Sequence, residues 1–318
     1  MPERYTAAVV QAAPVLFNRE ATVDKAIGLI AQAAEKGASL VLFPEAFVPA
    51  YPRGLAFGSV VGSRTAVGRD LWQRYWDESV DVPGEATARI GEAAREHGVH
   101  VAIGVVEREG RYGAPAGGTL YCTTLYFGPD STLLGKHRKL KPTAAERIVW
   151  GEGDGSTLTA VDTELGTLGG LICWEHYMPL ARVAMYGKGV QVWLAPTADA
   201  RDTWQSTMRH IALEGRCWML GCNQFVTKDM YPTDLPELEL LGDQPEIMSR
   251  GGSVIISPLG EVVAGPLWDQ EGILYAEINL AEVSRAKLDF DSVGHYARPD
   301  VFRLVVDERE QRAVEYER

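Results

Sequence analysis

Hydrophobic positions along this chain follow two periods, and the two periods take turns. Residues 5–13, Tyr-Thr-Ala-Ala-Val-Val-Gln-Ala-Ala, make an apolar run of strand length, whereas between 20 and 35 the apolar residues Val23, Ile27, Ile30 and Ala34 recur at helical spacing. Gly37 ends that helix as a C-cap, since glycine accepts the left-handed backbone a helix terminus uses. Residues 39–43 read as a short strand stopped by Pro44, 85–97 as a second helix closed by Gly98, and 100–106 as a strand. The first third is therefore expected to run β-α-β-α-β. Residues 119–127 and 132–135, joined by Gly128-Pro129-Asp130, predict a hairpin. Beyond it come a strand at 168–173, a helix at 179–187, a strand at 190–195, a helix at 203–216, and strands at 218–226, 252–257 and 272–278. The stretch 228–250, rich in proline and acidic residues, predicts a surface loop.

Strands and helices alternate in both halves with no visible linker and no internal repeat. That pattern predicts an α/β protein, one domain over 1–318 in which two sheets are sandwiched between helix layers. A net charge of −12, from 31 basic and 43 acidic side chains, gives no general attraction to nucleic acid or to an anionic membrane surface. No signal-peptide pattern opens the sequence, and no apolar run approaches the roughly 18 residues of a membrane span, so the expectation is a soluble, cytoplasmic protein.

Four cysteines are too few for a disulfide scaffold in 318 residues, and none forms a Cys-x-x-Cys pair. Cys122, Cys217 and Cys222 lie in apolar runs and read as inert buried thiols. Cys173 differs, because it sits where the apolar Gly169-Gly170-Leu171-Ile172 gives way to Trp174-Glu175-His176 and then a helix. Strand ends in α/β proteins open onto the ligand crevice, and helix N–H groups there favour a thiolate. A thiol nucleophile also needs a base. Glu45 follows the apolar Val41-Leu42-Phe43-Pro44, so its carboxyl stands at a core strand's end, where desolvation raises its pKa. A cation to stabilise developing negative charge is available in Lys136-His137-Arg138-Lys139-Leu140-Lys141, but the residues alone do not select one lysine. His176 reads as a structural donor to backbone or carboxylate rather than as a base. Gly151-Glu152-Gly153-Asp154-Gly155 lacks the Lys-Ser/Thr of a phosphate loop, and no His/Cys spacing suits zinc.

Three segments in order, Phe43-Pro44-Glu45-Ala46-Phe47, His137-Arg138-Lys139-Leu140-Lys141-Pro142-Thr143 with Glu146-Arg147 and Trp150-Gly151, and Leu171-Ile172-Cys173-Trp174-Glu175-His176-Tyr177-Met178-Pro179-Leu180, resemble the nitrilase superfamily and, within it, the nitrilase branch. The resemblance extends from Gln11-Ala12-Ala13-Pro14 to Gly294-His295-Tyr296-Ala297-Arg298-Pro299-Asp300. It implies a four-layer α-β-β-α sandwich carrying a Glu45-Lys139-Cys173 triad, with no metal and no organic cofactor. Glu146 matches a further family glutamate that orients the substrate or the lysine, although it also reads as a helix N-terminal carboxylate. Trp174 and Tyr51 are expected as pocket walls, with core packing as the alternative for both. The implied reaction is hydrolysis of a small-molecule nitrile with water to acid and ammonia. Amide or cyanide hydrolysis on the same fold and a catalytically silent binding protein are the other readings. The resemblance further implies a homodimer burying helices near the nucleophile strand, or a larger, spiral homo-oligomer.

Overall fold

The computed structural model describes residues 3–110, 118–312 and 314. Strand β1 (Arg4–Gln11) sends Ala7 and Val9 to one face and Ala8 and Val10 to the other, as the two-residue period of a strand requires. All four are apolar because both faces are covered. Helix α1 (Arg19–Glu35) starts on Asn18, whose side chain accepts Ala21 N–H at 3.0 Å, and ends where Gly37 takes φ +83°. It packs with α3 (Glu85–His97) on the outer face of the first sheet, with Ile30 and Ile90 wholly buried.

That first sheet has the order β15-β1-β2-β5-β6-β7, in which β2 is Ala38–Leu42, β5 His100–Arg108, β6 Leu120–Phe127, β7 Leu133–Arg138 and β15 Gly272–Asn279. Its centre, β1-β2-β5, is parallel and its flanks are antiparallel. The second sheet runs β12-β13-β11-β10-β9-β8, with β14 (Val262–Trp268) paired to β13. Here β8 is Ala160–Thr163, β9 Gly166–Gly169, β10 Val192–Pro196, β11 Trp218–Cys222, β12 Phe225–Thr227 and β13 Ile247–Ile256. Helices α4 (Pro179–Gly187) and α5 (Asp202–Gly215) cover its outer face through Met185, Trp204, Met208 and Ile211. Between the sheets, Tyr5, Leu40, Leu42 and Tyr126 meet Val192, Leu194, Trp218 and Leu220. The layers are helix, sheet, sheet, helix, as expected.

Several local expectations need correction. Between β2 and α3 the chain forms a small hairpin, β3 (Ser59–Val60) with β4 (Ser63–Arg64), and a helix α2 (Ala66–Glu78) that the polar spacing had hidden. Only Gly68, Leu71 and Tyr75 of α2 are buried, so its apolar stripe is too narrow to stand out. The predicted strand over 168–173 stops at Gly169, 218–226 is two strands, and the short helix α6 (Ala281–Ala286) follows β15. Residues 228–250 are not a free surface loop. Tyr231, Leu235, Leu241 and Met248 are buried in the cluster around Cys173, and the Tyr231 hydroxyl donates to Arg53 O at 2.9 Å. No helix among the described residues is long and apolar enough to cross a membrane.

Candidate active site

Four chain segments arrive at one place, each just after the carboxyl end of a strand, where α/β folds open their crevices. Glu45 comes three residues after β2, Lys139 directly after β7, Cys173 four residues after β9, and Thr197 directly after β10. The segment after Glu45 is clamped to β5, with Val48 N–H donating to Gly104 O at 3.2 Å and Val106 N–H to Val48 O at 2.7 Å.

Cys173 opens a short 3-10 turn with φ +52°, a left-handed backbone that a non-glycine residue adopts only under constraint. The constraint is visible. Glu175, two residues on, accepts Ile172 N–H and Leu140 N–H at 2.7 Å each and is bonded at 3.0 Å to His137 Nε2. One buried carboxylate thus ties the approach to Cys173 to the strand end that carries Lys139. Burial pushes Glu175 up, but the His137 ring and the two backbone N–H groups hold it below the usual carboxylate range.

His176 also acts on the backbone of Cys173. Its Nε2 accepts the Trp193 indole N–H at 2.9 Å, so Nδ1 carries the proton and donates to Cys173 O at 2.6 Å. Burial drives the His176 pKa down to about 4, which keeps the ring neutral. The expectation of a structural histidine donating to backbone matches this geometry.

The charged groups are deeply enclosed. Lys139 is wholly buried, its Nζ donating to Glu45 Oε1 at 2.6 Å and to Glu146 Oε2 at 2.7 Å. Burial opposes its charge, yet Glu45, the Cys173 sulfur and Glu146 together hold it well above the ordinary lysine value. Burial raises Glu45, with Lys139 pulling it back and Glu146 pushing it further up. Glu45 Oε2 has no hydrogen-bond partner among the described residues, and the Cys173 thiol lies near enough to act on the titration of that carboxyl. Burial, then the Glu45 charge, pushes the Cys173 thiol up to about 12. The burial and the Glu45 charge outweigh any help from helix N–H groups, so the thiol needs a base, as the sequence reading expects.

A cleft of about 490 Å³ opens onto Cys173 and is walled by Tyr51, Glu146, Trp174, Arg53 and Met248. Trp174 is 40% exposed and held by its indole N–H on Asp199 Oδ2 at 2.9 Å, with the Arg201 guanidinium over its ring. Tyr51 does more than form a wall, because its hydroxyl donates to Glu146 Oε1 at 2.7 Å. All six residues singled out in the sequence thus meet here. A larger cleft of about 740 Å³ lies elsewhere, and one of its lining carboxylates, Glu107, is already paired with Lys136 at 2.5 Å and Arg138 at 2.6 Å.

Sequence reasoning missed three contributors. Thr197 Oγ1 donates to Cys173 Sγ at 3.2 Å, Gln224 Nε2 donates to Glu45 O at 2.8 Å, and Cys122 Sγ stands 3.5 Å from Glu45 Oε1. Their apolar or neutral surroundings gave no signal, apart from the position of Thr197 at a strand end. No cluster of metal-ligating side chains occurs among the described residues.

The carbon-nitrogen hydrolase family model matches residues 6–288. An aliphatic nitrilase of Sinorhizobium fredii is 52% identical over 98% of this chain and 98% of its own length. A bifunctional nitrilase/nitrile hydratase of Nicotiana tabacum is 50% identical over 94% of this chain and 85% of its own length. Among solved structures, a nitrilase-superfamily member from Saccharomyces cerevisiae superposes with a TM-score of 0.68 at 20% identity, covering 92% of this chain and 96% of its own, a likeness of fold. With its sandwich fold and its sequence likeness running nearly end to end, the chain belongs to the carbon-nitrogen hydrolase family.

Proposed function

We propose that the chain is a nitrilase, converting a small organic nitrile and water to a carboxylic acid and ammonia. The observation that carries this reading is the buried Lys139 ammonium, shared between Glu45 and Glu146 beside a protonated Cys173 at the floor of an open cleft. Identity near 50% to curated nitrilases over almost the whole chain supports it.

In this reading Glu45 takes the Cys173 proton as sulfur attacks the nitrile carbon. Lys139 gives a proton to the nitrogen, and the thioimidate forms without free charge on nitrogen. The direct Glu45–Lys139 contact, 2.6 Å, lets the proton collected by the carboxyl return to the lysine. Water adds with Glu45 as base, ammonia leaves, and a second water releases the acid from the thioester. Glu146 sits beside the departing nitrogen's proton donor and favours positive charge there. That bias promotes loss of ammonia over loss of the thiol, the path that would free an amide. The bifunctional plant relative favours a minor amide path here as well.

We assign Glu45, Lys139 and Cys173 as the catalytic triad, Glu146 as the residue orienting Lys139, and Trp174 and Tyr51 as substrate walls, all within one hydrolase domain and without metal or cofactor. We place the protein in the cytoplasm, where its four free, buried thiols stay reduced. A homodimer or larger homo-oligomer is supported by apolar side chains left uncovered near α4 and along the C-terminal segment: Leu180 is 68% exposed and Phe302 78%.

The test incubates wild type and Cys173→Ala with aliphatic, arylaliphatic and aromatic nitriles and the matching amides, following ammonia and acid. Acid and ammonia from nitriles, lost in the variant, support the reading. Turnover of amides alone would move the chain to another activity of the family, and activity in Cys173→Ala would remove the nucleophile.

A further inference from the structure

We propose that Cys122 is a positioning residue for Glu45: its thiol and the Lys139 ammonium together occupy Oε1, which leaves Oε2 as the oxygen that takes the Cys173 proton. The inference rests on the hydrolytic reading above, in which Glu45 is the base.

A carboxylate has two equivalent oxygens and turns about its last bond, so its direction as a base depends on what holds each oxygen. Glu45 is wholly buried, so the protein groups around it decide how its two oxygens differ. Oε1 receives Lys139 Nζ at 2.6 Å and Cys122 Sγ at 3.5 Å, while Oε2 has no hydrogen-bond partner among the described residues. A buried carboxylate oxygen without a donor is costly unless it serves the chemistry, and the neighbour able to supply a proton is Cys173. Cys122 also holds the other partner, for its carbonyl accepts Lys139 N–H at 2.8 Å. One residue of β6 therefore sets Glu45 through its side chain and Lys139 through its backbone. Burial and the nearby Glu45 charge keep the Cys122 thiol protonated, which is the form that donates. Packing alone asks only for a small apolar group at this 1% exposed position; it does not ask for a donor aimed at the catalytic carboxylate.

The direction of the effect follows. A donor to the ionised carboxylate favours its charged form, so removing the donor raises the Glu45 pKa and moves the onset of Cys173 activation to higher pH. The experiment follows alkylation of Cys173 by iodoacetamide against pH, read by peptide mass, and so needs no knowledge of the natural nitrile. Wild type, Cys122→Ala, Cys122→Ser and Glu45→Gln are compared, with thermal melts to confirm folding. Cys122→Ala is expected to shift the acid limb upward by about half a pH unit, the size a weak donor to a charged acceptor supplies. Cys122→Ser, which keeps a donor, returns it towards wild type. Should Cys122→Ala not fold, Cys122→Val fills the site without a donor and takes its place. An unmoved limb in the donor-free variant, or a serine variant that behaves like it, overturns the role given to Cys122. An alkylation profile unchanged in Glu45→Gln instead overturns Glu45 as base, and with it the reading on which this inference stands.

Discussion

The Tyr51 hydroxyl donates to Glu146 Oε1 at 2.7 Å, while the other oxygen of that carboxylate receives Lys139 Nζ at 2.7 Å. A residue on the cleft wall is thereby joined to the buried ammonium through one carboxylate. Thr143 N–H closes the set on Glu146 Oε2 at 2.6 Å.

Tyr51→Phe keeps the ring and removes that donor. A hydrogen bond to a charged acceptor is worth about 1.5–3 kcal/mol, so the loss of alignment at Lys139 is expected to lower kcat for a nitrile by roughly ten- to a hundredfold. Initial rates of ammonia release measure it. An unchanged kcat would reduce Tyr51 to a wall.

Glu175 links Ile172 N–H, Leu140 N–H and His137, so it supports the segments that carry Cys173 and Lys139 from behind. Glu175→Ala strands two buried N–H groups and the ring, and breaking such a buried pair costs about 3–5 kcal/mol. Thermal unfolding is expected to show a large drop. Glu175→Gln, which keeps an acceptor, should lose less; equal melting of Glu175→Ala and wild type would contradict the bracing role.

His176 carries a pH signature. Its folded pKa is depressed to about 4 from 6.5, so between those values the unfolded chain binds the proton and the folded chain does not. Stability from this residue is present above 6.5 and is lost as pH falls towards 4, up to roughly 3 kcal/mol. His137, raised by burial-opposing contact with Glu175, works in the opposite sense by favouring the folded state below its unfolded pKa. The comparison that isolates His176 is therefore His176→Asn against wild type: melting temperatures at pH 7 and pH 4.5 should fall further in wild type than in the variant. A parallel fall in both would show that His176 does not carry the dependence.

Trp174 is oriented by Asp199 and covered by Arg201. Asp199→Ala frees the indole at the cleft mouth, and the expected result is a several-fold rise in KM for arylaliphatic nitriles with kcat nearly kept, about 1 kcal/mol of uniform binding. Steady-state kinetics on matched aryl and alkyl nitriles decide it. A fall in kcat without a change in KM would place Trp174 among the groups that act on the transition state.

Local pattern was enough for the sandwich because both sheets are covered on two sides, and β1, β2, β6 and β11 consequently read as largely apolar runs. It also marked Cys173 and Glu45 as candidates, since each follows such a run with a reactive group at its end. Helix α2 escaped because three buried residues do not make a visible stripe, and 228–250 looked like loop because its buried Tyr231, Leu235 and Leu241 are spaced among prolines and acids.

Other properties exist only in three dimensions. Lys139 is distinguished from Lys136 not by its neighbours in the chain but by two carboxylates, Glu45 and Glu146, that close on it from 94 and 7 residues away. The resting protonation of Cys173 follows from burial beside a negative charge, a quantity that local spacing does not carry. So it is with Cys122, whose apolar run hides a thiol turned towards Glu45, and with Glu175, whose partners come from separate strand ends. The sequence by itself determined which residues could be buried and which could react; the tertiary structure decided which of them share a dielectric and a hydrogen bond, because Coulomb and hydrogen-bond energies depend on distance in space and on the exclusion of water.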